Sequence, residues 1–375
     1  MTTSISYTYP DQKFWERYSE LWHNCTHPSP FQSPVFIQFL ADCYPQDLAI
    51  YQCLKQDKLI GAVFFRKVNG VYEFLSEVKS DHNFFTLHRE CTQEETKGFF
   101  KGLVDEIKSR NWALVLNYQP SWASYMDTFI REGKKGGIYW GLSSHSVCPA
   151  LVCDSPKEVL ERFDKIKNLR YYVSRLKKQQ NAVFEAFTDD EDLSEWSRQF
   201  CECHIKRWKD TPTPSKYNSP EMQEFHKNCL EAWAKEGLLR RFSVRVGEER
   251  IAFNLALMQE NALVGHSQAY DPEFYKYSPG KALMYFIGEW MMMQGICKID
   301  FGKGGESYKY GMTNVDMDLY KIFMSNYSNV RFVLKSKLEK TARDNADFIK
   351  VYRGKIRPRL LQARQWARSG ARRFF

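Results

Sequence analysis

Strand-like and helix-like spacings of apolar residues follow one another through the whole chain. Residues 49–54, 59–68 and 71–75 are apolar, β-branched or aromatic runs of strand length, joined at Gln56-Asp57 and at Asn69-Gly70, the second a strong hairpin signal. Ahead of them a helix is expected within 29–44, where Ser33 can cap and Pro34 can take the first helical position. Residues 92–109 carry apolar positions at helical spacing. A strand at 112–116, a helix at 121–131 and two short strands at 138–140 and 147–152 complete the first half.

The second half reads as helices over 155–181, a strand at 183–187 and a helix at 190–208. A Pro-rich loop at 210–220 follows, and Ser219-Pro220-Glu221 restarts a helix that runs to residue 236. Strands at 238–246, 251–257 and 263–269 form a meander, turned first at Gly247-Glu248-Glu249-Arg250. The stretch 261–310 is the most informative. A strand ends in a polar turn, Ser278-Pro279-Gly280 opens a helix with Leu283, Phe286, Ile287 and Trp290 on one face, a strand at 296–301 follows, and a Gly-rich loop occupies 302–309. Proline at the first helical position forfeits no hydrogen bond, glycine admits a ligand close to the backbone, and the free N–H groups of a helix start attract phosphate.

Composition narrows the class. With 375 residues, 43% hydrophobic and 15% aromatic, the chain suits two globular domains. The first residues lack the basic-then-apolar layout of a signal peptide, and no run is long enough to span a membrane, so a cytoplasmic location is expected. The ten cysteines are scattered and read as free thiols. Cys201-x-Cys203-His204 lacks a second ligand pair at a usable spacing, so no metal is expected. The net charge of +9 is concentrated at one end: 331–375 holds 14 Lys and Arg against three acids, which leaves the rest at about −2. From Arg357 to Phe375 basic and large apolar residues interleave, as in a segment lying on an anionic membrane; a solvated end is equally compatible with this composition. Nucleic acid is not favoured, because no binding motif accompanies the charge.

Tyr277-x-x-Gly280-x-Ala282 resembles the pyrophosphate loop of GNAT-fold N-acyltransferases, R/Q-x-x-G-x-G/A, with Tyr277 in the Arg/Gln position. Together with Asp300-Phe301-Gly302 and Glu306-Ser307-Tyr308-Lys309, it resembles the CelD-like, BioF-two-like branch of that superfamily, associated with polysaccharide biosynthesis. That branch is similar to the Fem-type aminoacyl transferases, which carry two GNAT-like domains in tandem. The resemblance covers roughly residues 165–325. It implies an α/β fold with mixed sheets, a degenerate GNAT-like domain at 1–153, an acyltransferase domain at 154–330 and a basic tail at 331–375. It further implies transfer of an acyl group from acyl-CoA, a co-substrate and not a resident cofactor, to an amine acceptor such as an amino sugar or lipid-linked saccharide of the cell envelope. A Fem-like aminoacyl-tRNA donor, or a non-catalytic membrane-associated binding module, are the alternatives; tRNA enters only with the first of these.

The residues for that chemistry can be named. Tyr277, Ser278, Gly280, Lys281 and Ala282 are expected at the donor pyrophosphate. An acyl transfer to an amine needs a base and a proton source for the thiolate, with Asp300, Glu306, His266 and Tyr308 as candidates. For the acceptor, Asp81 lies in the polar run 79–83, Arg170 on a basic helix face with Lys167 and Ser174, His204 and Arg207 at a helix end, and Lys309 in the Gly-rich loop.

Overall fold

The computed structural model describes residues 1–345, so residues 357–375 of the expected membrane segment lie outside it. The first half opens with β1 (Thr2–Ser6), α1 (Gln12–His23) and α2 (Pro34–Cys43). The three expected strands follow as β2 (Leu48–Lys55), β3 (Lys58–Val68) and β4 (Val71–Phe74), with Asn69 and Gly70 at positive φ in the hairpin turn. After the short β5 (Thr86–Leu87) come α3 (Gln93–Ser109), β6 (Ala113–Pro120), α4 (Met126–Lys135) and β7 (Tyr139–Val152). The start of α3 is a capping box, in which Thr92 and Glu95 each accept the other's backbone N–H.

The second half runs through α5 (Pro156–Lys165), α6 (Leu169–Gln180), β8 (Val183–Phe187), α7 (Leu193–Trp208) and α8 (Pro220–Lys235). The meander is β9 (Leu239–Val246), β10 (Glu249–Gln259) and β11 (Ala262–Tyr270). Then follow α9 (Pro279–Met293), β12 (Lys298–Asp300), the one-turn α10 (Ser307–Tyr310), β13 (Val315–Ser325) and α11 (Val330–Asp344).

All these strands join one mixed sheet, in the order β1-β2-β3-β4-β6-β13-β7-β12-β11-β10-β9-β8, with β5 beside β3. Its parallel pairs are β4 with β6 and β11 with β12. β13, for which the sequence reading had no strand, slots antiparallel between β6 and β7, so the end of the second half is built into the sheet of the first. The two strands expected at 138–140 and 147–152 are one. Pairing with β13 runs the length of β7, and a bulge at His145, where Leu319 faces Ser146 and Tyr320 faces Ser144, absorbs the polar run that read as a break.

Two other differences have local causes. The helix expected from residue 121 begins at Met126, because the Ser121 N–H is drawn to the Asp318 carbonyl of β13. The basic stretch at 165–178 is not one helix: Asn168 sits at φ 70°, and Lys167 falls in the break between α5 and α6, off the face that Arg170 and Ser174 share.

One core lies under each half, and a third is shared. Phe14, Phe31, Phe36 and Leu40 from the first half pack with Trp196, Phe200, Trp233 and Phe253 from the second. Trp233 stacks on Phe36 with ring centroids 4.5 Å apart and donates from Nε1 to the Pro30 carbonyl at 2.9 Å. The Glu236 carboxylate, just past α8, accepts the Val35 N–H at 3.0 Å and so caps α2, a role expected of Ser33. Replacing Trp233 with Ala should lower the unfolding free energy by about 3–5 kcal/mol, the range for deleting a buried large aromatic. Because the core is shared, both halves should still melt in one transition; urea titration followed by far-ultraviolet circular dichroism and by tryptophan fluorescence tests both points.

Candidate functional site

β11 and β12 pair only from Ala262↔Lys298 to Val264↔Asp300. Beyond that point β11 continues to Tyr270 while the chain after Asp300 turns away into the glycine loop, and the two ends splay. A cleft of about 930 Å3 opens there, floored by β10 and β11 and walled by the start of α9, the 301–312 segment and, from the first half, Lys79 and Asp81.

A β-bulge sets the direction of His266. Leu255 of β10 faces Ser267 while Ala256 faces Gly265, so His266 is the extra residue in β11. Its side chain is buried in the cleft wall, and Nε2 lies 3.1 Å from the Glu77 Oε1 of the loop after β4. With Nε2–H donating to that carboxylate, Nδ1 is the acceptor; it is buried in the wall and has no hydrogen-bond partner. Burial opposes ionisation of Glu77, but the hydrogen bond from His266 and the charge of Lys216, 3.3 Å away, hold its carboxyl far below the usual range. His266 moves down as well, because burial disfavours the imidazolium more than Glu77 favours it. The pair is therefore a carboxylate and a neutral imidazole. Glu77 escaped the sequence reading because 189 residues separate it from its partner and nothing local marks it.

Tyr308 and Glu306 also line the cleft. The Tyr308 hydroxyl accepts from Gln268 Nε2 at 2.6 Å; the residue is 45% exposed, but desolvation of the hydroxyl end followed by the nearby charge of Glu306 pushes its pKa up to about 12, so the phenol stays protonated. Asp300 does not reach the cleft. It is buried beneath the loop, where Oδ1 accepts the Gly302 N–H at 2.7 Å and Oδ2 lies 2.9 Å from His82 Nε2. His82, Cys148 and Asp300 bring one ligand atom each within 4.8 Å of one another, close enough to share a divalent cation, with no fourth His, Cys, Asp or Glu in the group among the described residues.

At the donor end, Ser278 caps α9 in a left-handed conformation at φ 51°. Lys281 and Ala282 donate their N–H groups to the Ser278 carbonyl, and Pro279 has none, which leaves the Gly280 N–H as the free donor of the first turn. A Cβ on Gly280 would meet nothing nearer than Tyr270 Cδ1 at 3.9 Å, so this position faces open cleft. Ser278 and Lys281 line the cleft beside it. Tyr277 and Ala282 do not. The Tyr277 ring is buried under Arg175, with its hydroxyl accepting from Gln180 Nε2 at 2.7 Å, and Ala282 packs in the core.

The expected acceptor residues divide. Asp81, His204 and Arg207 line the cleft. Asp81 is buried, which raises its carboxyl, and lies 3.5 Å from Lys303 Nζ. His204 approaches Ser215 Oγ at 2.8 Å and is lowered to about 4 by burial and by the charges of Lys79 and Lys216. The Arg207 guanidinium stands over the Tyr270 ring at 4.8 Å. Arg170 is exposed on α6 outside the cleft. Lys309 also lines the cleft, but its buried Nζ is committed to the loop, donating to the carbonyls of Gly302, Lys303 and Gly304 at 2.9, 3.3 and 3.0 Å and pairing with Glu306 at 2.9 Å.

With this geometry in place, comparison with known proteins identifies the class. Residues 164–310 match the model of the acetyltransferase (GNAT) domain, so this segment of the chain carries a GNAT acetyltransferase domain. No curated protein matches the sequence. Among solved structures the chain is similar to FemX, with a TM-score of 0.59 at 11% identity over 88% of this chain and 99% of that one. It is also similar to L-PGS from Bacillus licheniformis, with a TM-score of 0.57 at 12% identity over 88% and 97% of the two chains. A third is the C-terminal domain of a putative lysylphosphatidylglycerol synthetase from Agrobacterium fabrum, at 0.56, 10%, 87% and 96%. At these identities the likeness is one of fold.

Removing the Lys309 ammonium leaves three loop carbonyls without their common donor. Lys309→Met should reduce folding stability by about 1–3 kcal/mol, the cost of orphaning buried polar groups. Hydrogen exchange should quicken at the amides of Gly302 to Gly305 before it does in β11.

Proposed function

We propose that the chain is an N-acyltransferase that moves an acyl group, acetyl in the first instance, from acyl-CoA to an amine acceptor such as an amino sugar or lipid-linked saccharide of envelope polysaccharide. The observation that carries this reading is the bulged His266, backed by Glu77 and sharing one cleft with the open Gly280 turn. A GNAT domain supplies the class of chemistry; the cleft supplies the groups.

The acceptor amine enters beside the neutral His266, and its entry has to open the wall over the buried Nδ1, which then serves as base. The nitrogen attacks the thioester carbonyl while Nδ1 takes its proton, and Glu77 stabilises the imidazolium that forms. The tetrahedral intermediate collapses with cleavage of the C–S bond, and Tyr308 protonates the departing thiolate. The imidazolium proton returns to the Tyr308 oxygen through solvent, so the net change is one proton moved from amine to thiol. Gly280 N–H, Ser278 and Lys281 meet the donor phosphates, with the α9 dipole behind them.

A second donor has an observation in its favour. Tyr277 faces away from the cleft and the first turn of α9 keeps a single free N–H, fewer groups for a pyrophosphate than the R/Q-x-x-G-x-G/A pattern provides. Lys79, Lys167, Arg207 and Lys281 border the same cleft, and a cationic border of this kind also suits the phosphates of an aminoacyl-tRNA.

Calorimetric titration with acetyl-CoA and longer acyl-CoAs separates these readings. Saturable binding that is lost in Gly280→Trp, whose side chain has room to fill the cleft without unfolding the chain, supports the CoA donor. Binding of charged tRNA with no response to any CoA moves the assignment to the second donor, and binding of neither leaves a non-catalytic module. Once an acceptor is in hand, Glu77→Gln and His266→Ala should each lower kcat by about 10²–10⁴, the usual contribution of a positioned base. Because burial lowers His266, the base is already free at neutral pH, and kcat/KM should fall only as the pH drops below the ordinary imidazole value of 6.5. A profile that falls above pH 6.5 on acidification argues against His266 as the base.

A further inference from the structure

α11 packs one face on the sheet and leaves an unusual one outside. Val333 is buried with Phe332 against Tyr139 and Phe323, and Ser336 is buried on the same side. On the opposite side Val330, Leu334 and Leu338 follow one another at four-residue spacing, exposed by 60%, 58% and 73%, with Tyr327 just before the helix at 58%. Single exposed apolar residues are ordinary, but a row of them along one helix face marks a surface that is covered in use.

The charges around this row indicate what covers it. Around the helix Arg331 and Lys335 fall on one side of the row and Lys337 on the other. Both carboxylates of α11 are committed elsewhere, Glu339 to Lys321 and Arg343 and Asp344 to Lys340, so none of the three flanking cations has an ion-pair partner among the described residues. Two copies of this face brought together would set cation against cation. An anionic lipid surface accepts both parts, the apolar row among the acyl chains and the cations at the head groups. Residues 346–375, outside the described part, follow in the sequence with nine Lys and Arg against one acid. No helix of the described residues is long and apolar enough to cross a membrane, so α11 would lie on the surface.

We propose that α11 is a membrane-docking element, which seats the protein on anionic lipid through Val330, Leu334 and Leu338 with Arg331, Lys335 and Lys337 at the phosphates. This does not depend on the reaction proposed above. It differs from the composition of the distal segment in naming a folded face, and the two can be told apart.

The test is sedimentation of the full-length chain with vesicles of equimolar phosphatidylglycerol and phosphatidylcholine, beside vesicles of phosphatidylcholine alone, over a range of salt. The wild-type chain should partition to the anionic vesicles and lose affinity as salt rises. Leu334→Glu with Leu338→Glu, at exposed positions, should keep the thermal midpoint and lower the partition coefficient about tenfold or more, since two large apolar side chains are withdrawn from lipid. Equal binding of this variant, with residues beyond α11 doing all the work, overturns the proposal. So does a wild-type chain that ignores the vesicles and self-associates in a way the double variant abolishes.

Discussion

The halves of this protein cannot move independently, and the site depends on that. β13 is hydrogen-bonded on both edges, to β6 and to β7, so the last strand of the second half is interior to the sheet of the first. Behind the sheet, α2 and α8 close a common core around Phe36 and Trp233. Linkage of this kind makes it possible to hold Glu77 from one half within hydrogen-bond distance of His266 from the other, a precision that two loosely tethered domains would not sustain.

Burial decides what that pair can do. A carboxylate in a dry wall is costly unless it is paired and hydrogen-bonded. Glu77 meets this condition through His266 and Lys216, and in return fixes which imidazole nitrogen is left without a partner. Lys309 works by the same rule in the glycine loop, where one ammonium collects three carbonyls and holds the loop in the splay between β11 and β12. The lysine that looks most like a substrate contact thereby has its ammonium committed to the loop, although it borders the cleft beside Asp81, His204 and Arg207.

Residues 164–310 and the remainder of the chain are unequal in what comparison says of them. The family model stops at residue 310, whereas the likeness to FemX runs through 88% of the chain. The shared fold therefore includes the first half, which lends Lys79 and Asp81 to the cleft and sets Glu77 behind His266, without a phosphate turn of its own. α11 stands apart from that cleft chemistry. It packs one face on the sheet and turns a cationic, apolar face outward.

What the sequence determined by itself was local. Asn69-Gly70, the Thr92 and Glu95 cap, Ser219-Pro220 and Pro279-Gly280 are turn and cap chemistry acting over a few residues, and the elements they bound form where the spacing predicts. The order of elements over 261–310 was legible for the same reason, since strand, turn, helix, strand and loop are consecutive there. What only the tertiary structure decided was everything set by partners far along the chain. β13 pairs with strands that precede it by well over a hundred residues, the polar run in β7 stays extended because β13 runs beside it, and His266 gains its direction from a bulge against β10. Glu77, Asp300 and Lys309 have the same residue types that a sequence reading would give to catalysis or to surface turns. Which of them faces the cleft and which is spent on the loop depends on the dry side of the sheet and the hydrogen bonds available there, and no periodicity records that.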